Sequence, residues 1–474
     1  MPSTNPTQDR SKIPLNRVLG LPTGILLVAG IMIGSGAFKK IAPMSQSLMS
    51  EPLILLAWVI AGVITLFGAF TYAGLASMTT QSGGVYEYLR LCYGDFLSFL
   101  FGWMMFTIGG SGAIAALAFV FSQSVNTIIP FPNPLDAFKD VSIGGFLYPF
   151  ADSGIKFFAI LTIIILSFVN YRGVKNGGVL NNIVTAAKIL GIVLLIIMGL
   201  GYSAEQIKST VVASTVPTGI ALFSAFFGAL LSALWAYDGW ANITYITGEI
   251  KNPQRNVPLA ITGGVLIAMT LYILVNYSYM KVLPVSELAA IGQNQVAAAE
   301  VAGVIMGNSG KVIISILIMT CTFGAVNACV MVYPRLYYRM AQEGSFFRKA
   351  SFVHPTFRTP YISLIYSCAW SSILIMSGTF DLLTNLVIFT GFLFFGAIAL
   401  GLVKMKRKGI ITAKVIGYPV IPVVILLFSL VLVVNTAIVQ PQQSALGLLL
   451  VLSGIPFYYY FKSLRNKKDV KNEL

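Results

Sequence analysis

The sequence predicts an all-α integral membrane protein with about twelve transmembrane helices. Of its 474 residues, 57% are hydrophobic and only 10% are charged, whereas a soluble domain has about 25% charged residues. The apolar residues also fall into long stretches, and a transmembrane helix needs about 20 of them in a row. The lipid bilayer is therefore the expected partner of most of the chain.

The apolar stretches set the predicted spans and the domain boundaries. The spans lie near residues 21–48, 52–78, 97–129, 154–171, 179–202, 219–247, 258–282, 311–340, 361–379, 381–403, 415–439 and 444–463. Residues 21–202 and 219–403 then form two halves of five spans each, and residues 415–463 hold two extra helices. We expect residues 1–20 and 464–474 to be tails on the same side of the membrane.

The basic residues predict the orientation. With both termini in the cytoplasm, 23 Lys and Arg residues lie on that side, seven lie on the other, and Lys188 lies within a span. Such a bias marks the cytoplasmic loops of membrane proteins. We therefore expect a multi-pass protein of the cell membrane with both termini cytoplasmic. The net charge of +15 then reflects topology and requires no nucleic-acid partner.

Two predicted spans contain helix-weakening residues at corresponding places. The first span holds three glycines and a serine within residues 30–36, and the sixth holds Asp238 and Gly239 within residues 235–242. Glycines alone could serve close helix packing. Paired interruptions at the start of two five-span halves, however, indicate an inverted-repeat transporter with its binding site at the breaks.

The ends of the broken helices suit a zwitterion. The half-helix after Gly36 would begin with free N–H groups and the positive end of a helix dipole, which favour a carboxylate. The half-helix that ends near Trp235 and Ala236 would leave free carbonyls, which favour an ammonium. The breaks therefore predict binding of an amino acid.

The sequence resembles the amino acid–polyamine–organocation superfamily, and within it the L-type (LAT-like) branch. The residues that carry the resemblance are 30–38, 72–73, 82–89, 235–240, 248–258 and 323–327. The resemblance implies the LeuT-type fold, a 5+5 inverted repeat plus two C-terminal helices. It also implies that the substrate carboxylate meets the N–H groups of Ser35 and Gly36, and the amine meets carbonyls near Ile31, Trp235 and Ala236. Trp235 takes the place of the family's aromatic gate.

Lys188 is the only basic residue deep within a predicted span. In sodium-independent relatives, a lysine of the fifth span occupies the place of a sodium ion. The resemblance implies that Lys188 bridges the first-span break, at the Gly30 carbonyl, to Thr322 in the eighth span. A snorkelling lysine is the alternative, although Lys188 lies about 13 Å along the helix from the start of its span.

The sequence departs from the family pattern at three places. Gly74 stands where the family often has Glu, and Ala37 where it usually has Ile or Leu. The loop near 130–153 contains no cysteine, whereas animal heteromeric members use a cysteine there to bond a glycoprotein subunit. We therefore expect no disulfide-linked heavy subunit.

Asp238 has two open interpretations, a proton carrier or a cap for the half-helix that follows the break.

The single His and the four scattered Cys predict no enzyme, no metal and no cofactor. The sequence thus predicts a sodium-independent transporter of neutral amino acids that works by alternating access, with exchange as its first expected mode. Proton-coupled symport is the second, and a polytopic sensor or enzyme is the alternative of another class.

Overall fold

The structure is a computed structural model that describes residues 19–76, 78, 84–145, 147–172, 177–202, 216–293, 295–357, 359–412 and 414–473. Most of the predicted N-terminal tail and residues 82–83 of the family motif lie outside these ranges. The description below concerns the described residues.

The described chain is built of helices, several of them broken. In chain order the α-helices are α1 Leu21–Met32, α2 Gly36–Lys39, α3 Ile41–Leu48, α4 Glu51–Ala76, α5 Gly84–Tyr93, α6 Asp95–Met104, α7 Gly110–Ile128, α8 Ser153–Tyr171, α9 Gly177–Leu200, α10 Gly219–Tyr237, α11 Pro253–Val282, α12 Val285–Ala290, α13 Ala297–Gln342, α14 Tyr361–Ser377, α15 Phe380–Arg407, α16 Val420–Val439, α17 Pro441–Leu452 and α18 Gly454–Glu473. A π-helical segment, Met105–Gly109, joins α6 to α7, and a 3₁₀ helix, Trp240–Glu249, follows α10.

The prediction of about twelve spans is confirmed. In the described part of the chain, ten helical segments are long and apolar enough to cross a membrane, and two shorter apolar helices, Val184–Leu200 and Tyr361–Ser377, bring the total to twelve. Apolar side chains such as Ile164, Leu194 and Leu430 remain about half exposed. Lipid would cover these outer faces in a bilayer, because it is as apolar as they are.

Two helix boundaries differ from the prediction. Helix α13 begins at Ala297 rather than near residue 311 and passes through a non-helical Gly307 with φ of 63°. Lys311 lowers the local hydropathy, but its ammonium lies 2.5 Å from the Glu300 carboxylate. The predicted span begins at Lys311 because of its charge. The ion pair with Glu300 neutralises that charge, and the helix begins further toward the N-terminus. At the other end, α18 continues to Glu473, well into the predicted C-terminal tail.

Helix packing follows a pattern of matched pairs. Helix α1 packs against α11 while α10 packs against α4, and α1 packs against α9 while α10 packs against α15. In the two predicted halves, α1 corresponds to α10, α4 to α11 and α9 to α15. Exchanging each helix for its counterpart converts the first packing contact of each pair into the second. This pattern supports the two five-span halves, which we retain as a proposal.

Candidate functional site

The first break separates α1 from α2. The last regular bond of α1 runs from the N–H of Ile33 to Ala29, and the N–H of Gly34 turns back to the Met32 carbonyl at 2.8 Å. Among the hydrogen bonds of the described residues, the N–H groups of Ser35 and Gly36 have no backbone acceptor. These groups therefore remain available to an anionic group of a ligand.

The second break separates α10 from the 3₁₀ helix. Asp238 ends α10 in an extended conformation, and its N–H donates to the Trp235 carbonyl at 3.1 Å. Gly239, with φ of 94°, precedes the 3₁₀ helix. Asp238 lies one residue before Gly239, and its capping of that helix stays a prediction.

The half-helix after the second break is 3₁₀ instead of α-helical. Within it, the Thr244 hydroxyl donates to the Ala241 carbonyl at 2.6 Å and the Thr247 hydroxyl to the Thr244 carbonyl at 2.8 Å. Both bonds reach back three residues. Such side-chain bonds compete with the regular α-helical pattern and accompany the tighter winding here.

The two breaks lie in direct contact. A Cβ atom on Gly36 would lie 2.5 Å from the Cα of Ala236, and one on Gly239 would lie 2.6 Å from Cγ2 of Ile31. Only glycine permits such close approach of the two backbones. The indole N–H of Trp235 donates to the Ser35 hydroxyl at 3.1 Å. The structure thus brings together the five residues predicted to meet the substrate.

Two cavities meet at the breaks. The smaller, of about 30 Å³, is lined by Ile31, Met32, Gly34, Ser35, Gly36, Ala113, Leu117, Trp235, Asp238, Gly239, Asn242, Cys329 and Tyr333. The larger, of about 120 Å³, shares Asp238, Gly239, Asn242 and Tyr333 with it and reaches Val85 of α5. The four shared residues therefore form the boundary between the smaller and the larger cavity.

Lys188 lies against the first break. Its side chain is buried, and its ammonium lies 3.1 Å from the Gly30 carbonyl and 3.4 Å from the Ile33 carbonyl. Thr322 does not take the part expected of it, because its hydroxyl donates to Ile318 and Met319 of its own helix. The second carbonyl that Lys188 meets is that of Ile33, three residues beyond Gly30.

Tyr272 of α11 is a site residue that the sequence did not indicate. Its hydroxyl lies 2.7 Å from the Met32 carbonyl and 2.9 Å from the Ala236 carbonyl, so it touches both broken helices at once. A tyrosine is common in apolar spans, and no local motif surrounds Tyr272. Only the three-dimensional arrangement reveals its contacts.

Asp238 has no ion pair among the described salt bridges. Asp238 lines both cavities, beside Asn242, whose amide lies 3.4 Å from the Tyr333 hydroxyl. The described residues contain no group of His, Cys, Asp and Glu that could hold a metal ion. The chemistry of the site is therefore that of hydrogen bonds, backbone dipoles, the acid Asp238 and the ammonium of Lys188.

Comparison with known proteins finds amino acid transporters along nearly the whole chain. A family model described as "Amino acid permease" matches residues 19–459. The chain is similar to the serine/threonine exchanger SteT of Bacillus subtilis, with 30% identity over 94% of this chain and 97% of the exchanger. It is 32% identical to the human b(0,+)-type amino acid transporter 1, over 96% of this chain and 90% of the relative. The mouse large neutral amino acids transporter small subunit 2 is 27% identical, over 94% and 81%.

This chain belongs to the amino acid permease family. The predicted membership of the L-type branch of the amino acid–polyamine–organocation superfamily is confirmed, as is the prediction that the protein is not an enzyme. The permease is a multi-pass membrane protein for amino acid transport. The alternative of a membrane enzyme is thereby excluded.

The permease carries a buried group of charges at the end of α2, which we call the lysine end (Lys39, Lys40 and Asp381). The Lys40 ammonium lies 2.7 Å from the Asp381 carboxylate and 2.6 Å from the Thr384 hydroxyl. Lys39 has neutral partners instead, with Gln123 Oε1 at 2.6 Å and the Gln293 carbonyl at 2.5 Å.

An aromatic ring links the lysine end to the site. Both ammonium groups, of Lys39 and Lys40, lie over the ring of Phe380, 4.9 and 4.6 Å from its centroid. Trp235 meets the same ring edge-on at 6.0 Å. Trp235 therefore stands between the smaller cavity and the lysine end, the place that a gating residue would take.

A second group of charges, which we call the glutamate end (Glu87, Arg90, Arg339 and Glu343), joins α5 to the end of α13. Arg90 makes two bonds to Glu87, at 2.8 and 3.1 Å, and both Arg90 and Arg339 lie near Glu343, at 3.6 and 2.9 Å. The bonds to Glu87 raise the pKa of Arg90, so this guanidinium stays charged. The larger cavity extends toward this end, since Val85 lies in α5.

Proposed function

We propose that this permease exchanges neutral amino acids across the cell membrane, independently of sodium and by alternating access. The observation that carries the proposal is the contact of Lys188 with the Gly30 and Ile33 carbonyls. Unwound carbonyls of this kind coordinate the coupling ion in many transporters. An ammonium fixed on them supplies the positive charge that a sodium ion would otherwise bring.

Recognition of the amino acid would use the two broken helices. The N–H groups of Ser35 and Gly36 have no backbone acceptor and would bind the carboxylate. The carbonyls of Ile31, Trp235 and Ala236 would accept from the ammonium. Both ends of the substrate are thus held by backbone groups, which leaves the side chain of the substrate to meet the cavity wall.

The cavity wall supports a preference for neutral side chains. Ala113 and Leu117 of the third span, Cys329 of the eighth and the indole of Trp235 line the smaller cavity. These groups offer apolar or weakly polar contacts. Two of the relatives, by name, act on serine and threonine or on large neutral amino acids, which supports the same class of substrate.

Alternating access would proceed between the lysine end and the glutamate end. In this structure the lysine end is packed with buried side chains, while the larger cavity leads from Asp238 toward the glutamate end. With both termini in the cytoplasm, the cavity leads inward. Opening the lysine end and closing the glutamate end would expose the same site to the outside.

Counterflow into liposomes tests the proposal. Purified permease should accumulate a labelled neutral amino acid in vesicles loaded with the unlabelled compound, and do so equally in sodium and in choline media. Activity of the purified chain alone would also support function without a heavy subunit. Absence of counterflow with every standard amino acid, or a requirement for sodium, would refute the proposal.

Replacement of Lys188 tests the observation that carries it. We expect Lys188→Ala to fold but to exchange at least about tenfold more slowly, because two buried carbonyls lose their donor at about 1–3 kcal/mol each. The matched control is Lys156→Ala. Lys156 is also buried in a span, but its ammonium bonds to loop carbonyls of Tyr148 and Pro149, away from the breaks. Normal exchange by Lys188→Ala would contradict its role.

Proton symport is the second candidate, because Asp238 lines both cavities without an ion pair among the described residues. A carboxyl group in such a place can take up and release a proton. Uptake into empty vesicles with acid outside, abolished by Asp238→Asn, would favour symport. Uptake only into loaded vesicles, unaffected by the pH gradient, would favour exchange.

A further inference from the structure

Lys39 is the cation of the lysine end that has no carboxylate of its own. The acid there, Asp381, lies 2.7 Å from the Lys40 ammonium. Among the described residues, Lys39 makes no ion pair, and its hydrogen bonds go to neutral oxygens, Gln123 Oε1 at 2.6 Å and the Gln293 carbonyl at 2.5 Å. A buried cation is costly unless an anion balances it. The lysine end therefore holds one ammonium in excess.

The two oxygens that hold Lys39 come from different parts of the chain. Gln123 lies in α7, and Gln293 lies beyond α12, in a stretch that we call the outer segment (residues 285–293). The outer segment packs against α3, where the Gln46 amide donates to a carbonyl of α12 at 2.8 Å. Opening of the lysine end would move the outer segment away from α2 and α3. The Lys39 ammonium would then lose the Gln293 carbonyl and keep one neutral partner.

Lys39 is also close to the breaks. It is the last residue of α2, whose first residue is Gly36, so the two lie about 4.5 Å apart along the helix axis. The Phe380 ring lies 4.9 Å from the Lys39 ammonium and meets the indole of Trp235 edge-on at 6.0 Å. A substrate that enters from the side of the lysine end would thus pass Lys39 before it reaches the N–H groups of Ser35 and Gly36.

We infer that Lys39 binds the carboxylate of the amino acid in the outward-open state, and that the same ammonium returns to the Gln293 carbonyl when the lysine end closes. A carboxylate is a stronger acceptor for an ammonium than a neutral oxygen is, so it would balance the excess cation once the outer segment withdraws. Transfer of the carboxylate to the N–H groups of the first break would then release Lys39 to the outer segment. The inference rests on the proposed exchange and orientation, and it adds a first binding contact on the outer side.

This contact would make the two sides of the permease unequal. From the cytoplasm the substrate would enter through the larger cavity, whose described lining contains no Lys or Arg. Loss of the Lys39 charge should therefore weaken binding from the outside and leave binding from the inside nearly unchanged. A residue that only held the lysine end closed would give the opposite result. Its loss would favour the outward-open state and raise the apparent affinity from the outside.

Three substitutions separate the charge of Lys39 from its bond to the outer segment. Lys39→Gln keeps an N–H donor and removes the charge, whereas Lys39→Arg keeps the charge. The matched control is Lys281→Met. Lys281 is an exposed lysine on the same predicted side of the membrane, and its ammonium lies over the ring of Tyr277, away from the lysine end.

The test measures the KM of one exchanged neutral amino acid from each side, in intact cells for the outside and in inverted membrane vesicles for the inside. For Lys39→Gln we expect the outer KM to rise about tenfold, because a hydrogen bond between two charged groups is lost. The inner KM should stay close to that of wild type. Lys39→Arg keeps a charged donor and Lys281→Met removes only an exposed charge, so both should keep each KM within about twofold of wild type.

An outer KM of Lys39→Gln that equals or falls below that of wild type would overturn the inference, as would an equal rise on both sides. If Lys39→Gln does not fold, Lys39→Met takes its place with the same expected results, because it also removes the charge and leaves no polar group to bury.

Failure of the proposed function would look different. Wild type that requires sodium, or that fills empty vesicles, would refute sodium-independent exchange, and the outer KM of the variants would still decide the role of Lys39. If wild type transports no amino acid, binding of the labelled compound to intact cells reports on the outer side alone. Weaker binding by Lys39→Gln than by Lys281→Met would then support the inference, and equal binding would overturn it.

Discussion

The two charged groups that flank the site are built in opposite ways. At the lysine end the cations are buried, with the Lys40 side chain 0% exposed and its partner Asp381 24% exposed. At the glutamate end the acids are the more buried members, with Glu343 16% exposed and Arg90 and Arg339 34% and 36%. The two ends therefore balance their charges differently.

The difference bears on how each end could open. The lysine end holds two ammonium groups against one carboxylate, and neutral oxygens and the Phe380 ring stabilise the excess charge. Burying a charge is costly unless it is paired. Hydration would therefore stabilise the two ammonium groups once the helices of the lysine end move apart. The glutamate end has two acids and two guanidiniums, already partly hydrated, and gains less from opening.

The largest effect should follow removal of the acid at the lysine end. We expect Asp381→Asn to lower the free energy of unfolding by about 3–5 kcal/mol, because it leaves buried Lys39 and Lys40 without a carboxylate. Thermal unfolding in detergent checks this. The double variant Lys40→Met with Asp381→Asn should recover much of the loss, and failure of the second change to help would contradict the ion pair.

A smaller effect should follow the corresponding change at the glutamate end. Glu343→Gln removes the charge that Arg90 and Arg339 approach and that the Tyr86 hydroxyl meets at 2.9 Å. Burial and, to a smaller extent, the Glu343 carboxylate raise the pKa of Tyr86, so this phenol stays protonated as a donor. Because the guanidiniums remain hydrated, we expect a loss of about 1–2 kcal/mol. A loss as large as that of Asp381→Asn would contradict the contrast between the two ends.

Salt should give the smallest but most selective difference. At about 1 M salt the screening length falls to about 3 Å, and exposed pairs weaken more than buried ones. The stability difference between wild type and Glu343→Gln should therefore shrink, while that of Asp381→Asn should remain. The exposed pair of Asp136 and Lys139, 3.6 Å apart, provides a reference, since Asp136→Asn should change stability by less than about 1 kcal/mol. Equal salt sensitivity at both ends would show that burial does not separate them.

The sequence predicted the breaks because their signal is local. Glycines 30, 34 and 36 and the acid Asp238 stand out against apolar spans, and helix propensity alone marks them. Lys188 stood out in the same way. The residues near these breaks are those that the structure brings into contact.

The partners of these residues could not be predicted, because they depend on packing between distant helices. Thr322 was expected to meet Lys188, but its hydroxyl bonds within its own helix, a choice that Ser and Thr have in any helix. The Tyr272 hydroxyl bonds to the Met32 carbonyl, 240 residues away along the chain. Nothing in the residues next to Tyr272 in the sequence indicates that contact. The 3₁₀ winding after Gly239 is likewise accompanied by hydroxyl bonds that composition does not reveal.

The most direct test of the central claim, that the amino acid binds between the two breaks, is the alkylation rate of Cys329 by N-ethylmaleimide. Cys329 lines the smaller cavity, while Cys368, half-buried and outside both cavities, serves as internal reference. An exchanged amino acid at about ten times its Kd should slow alkylation of Cys329 about tenfold, because only the unliganded fraction reacts, and leave Cys368 unchanged. An active permease whose Cys329 reacts at the same rate with and without its substrate would contradict the account.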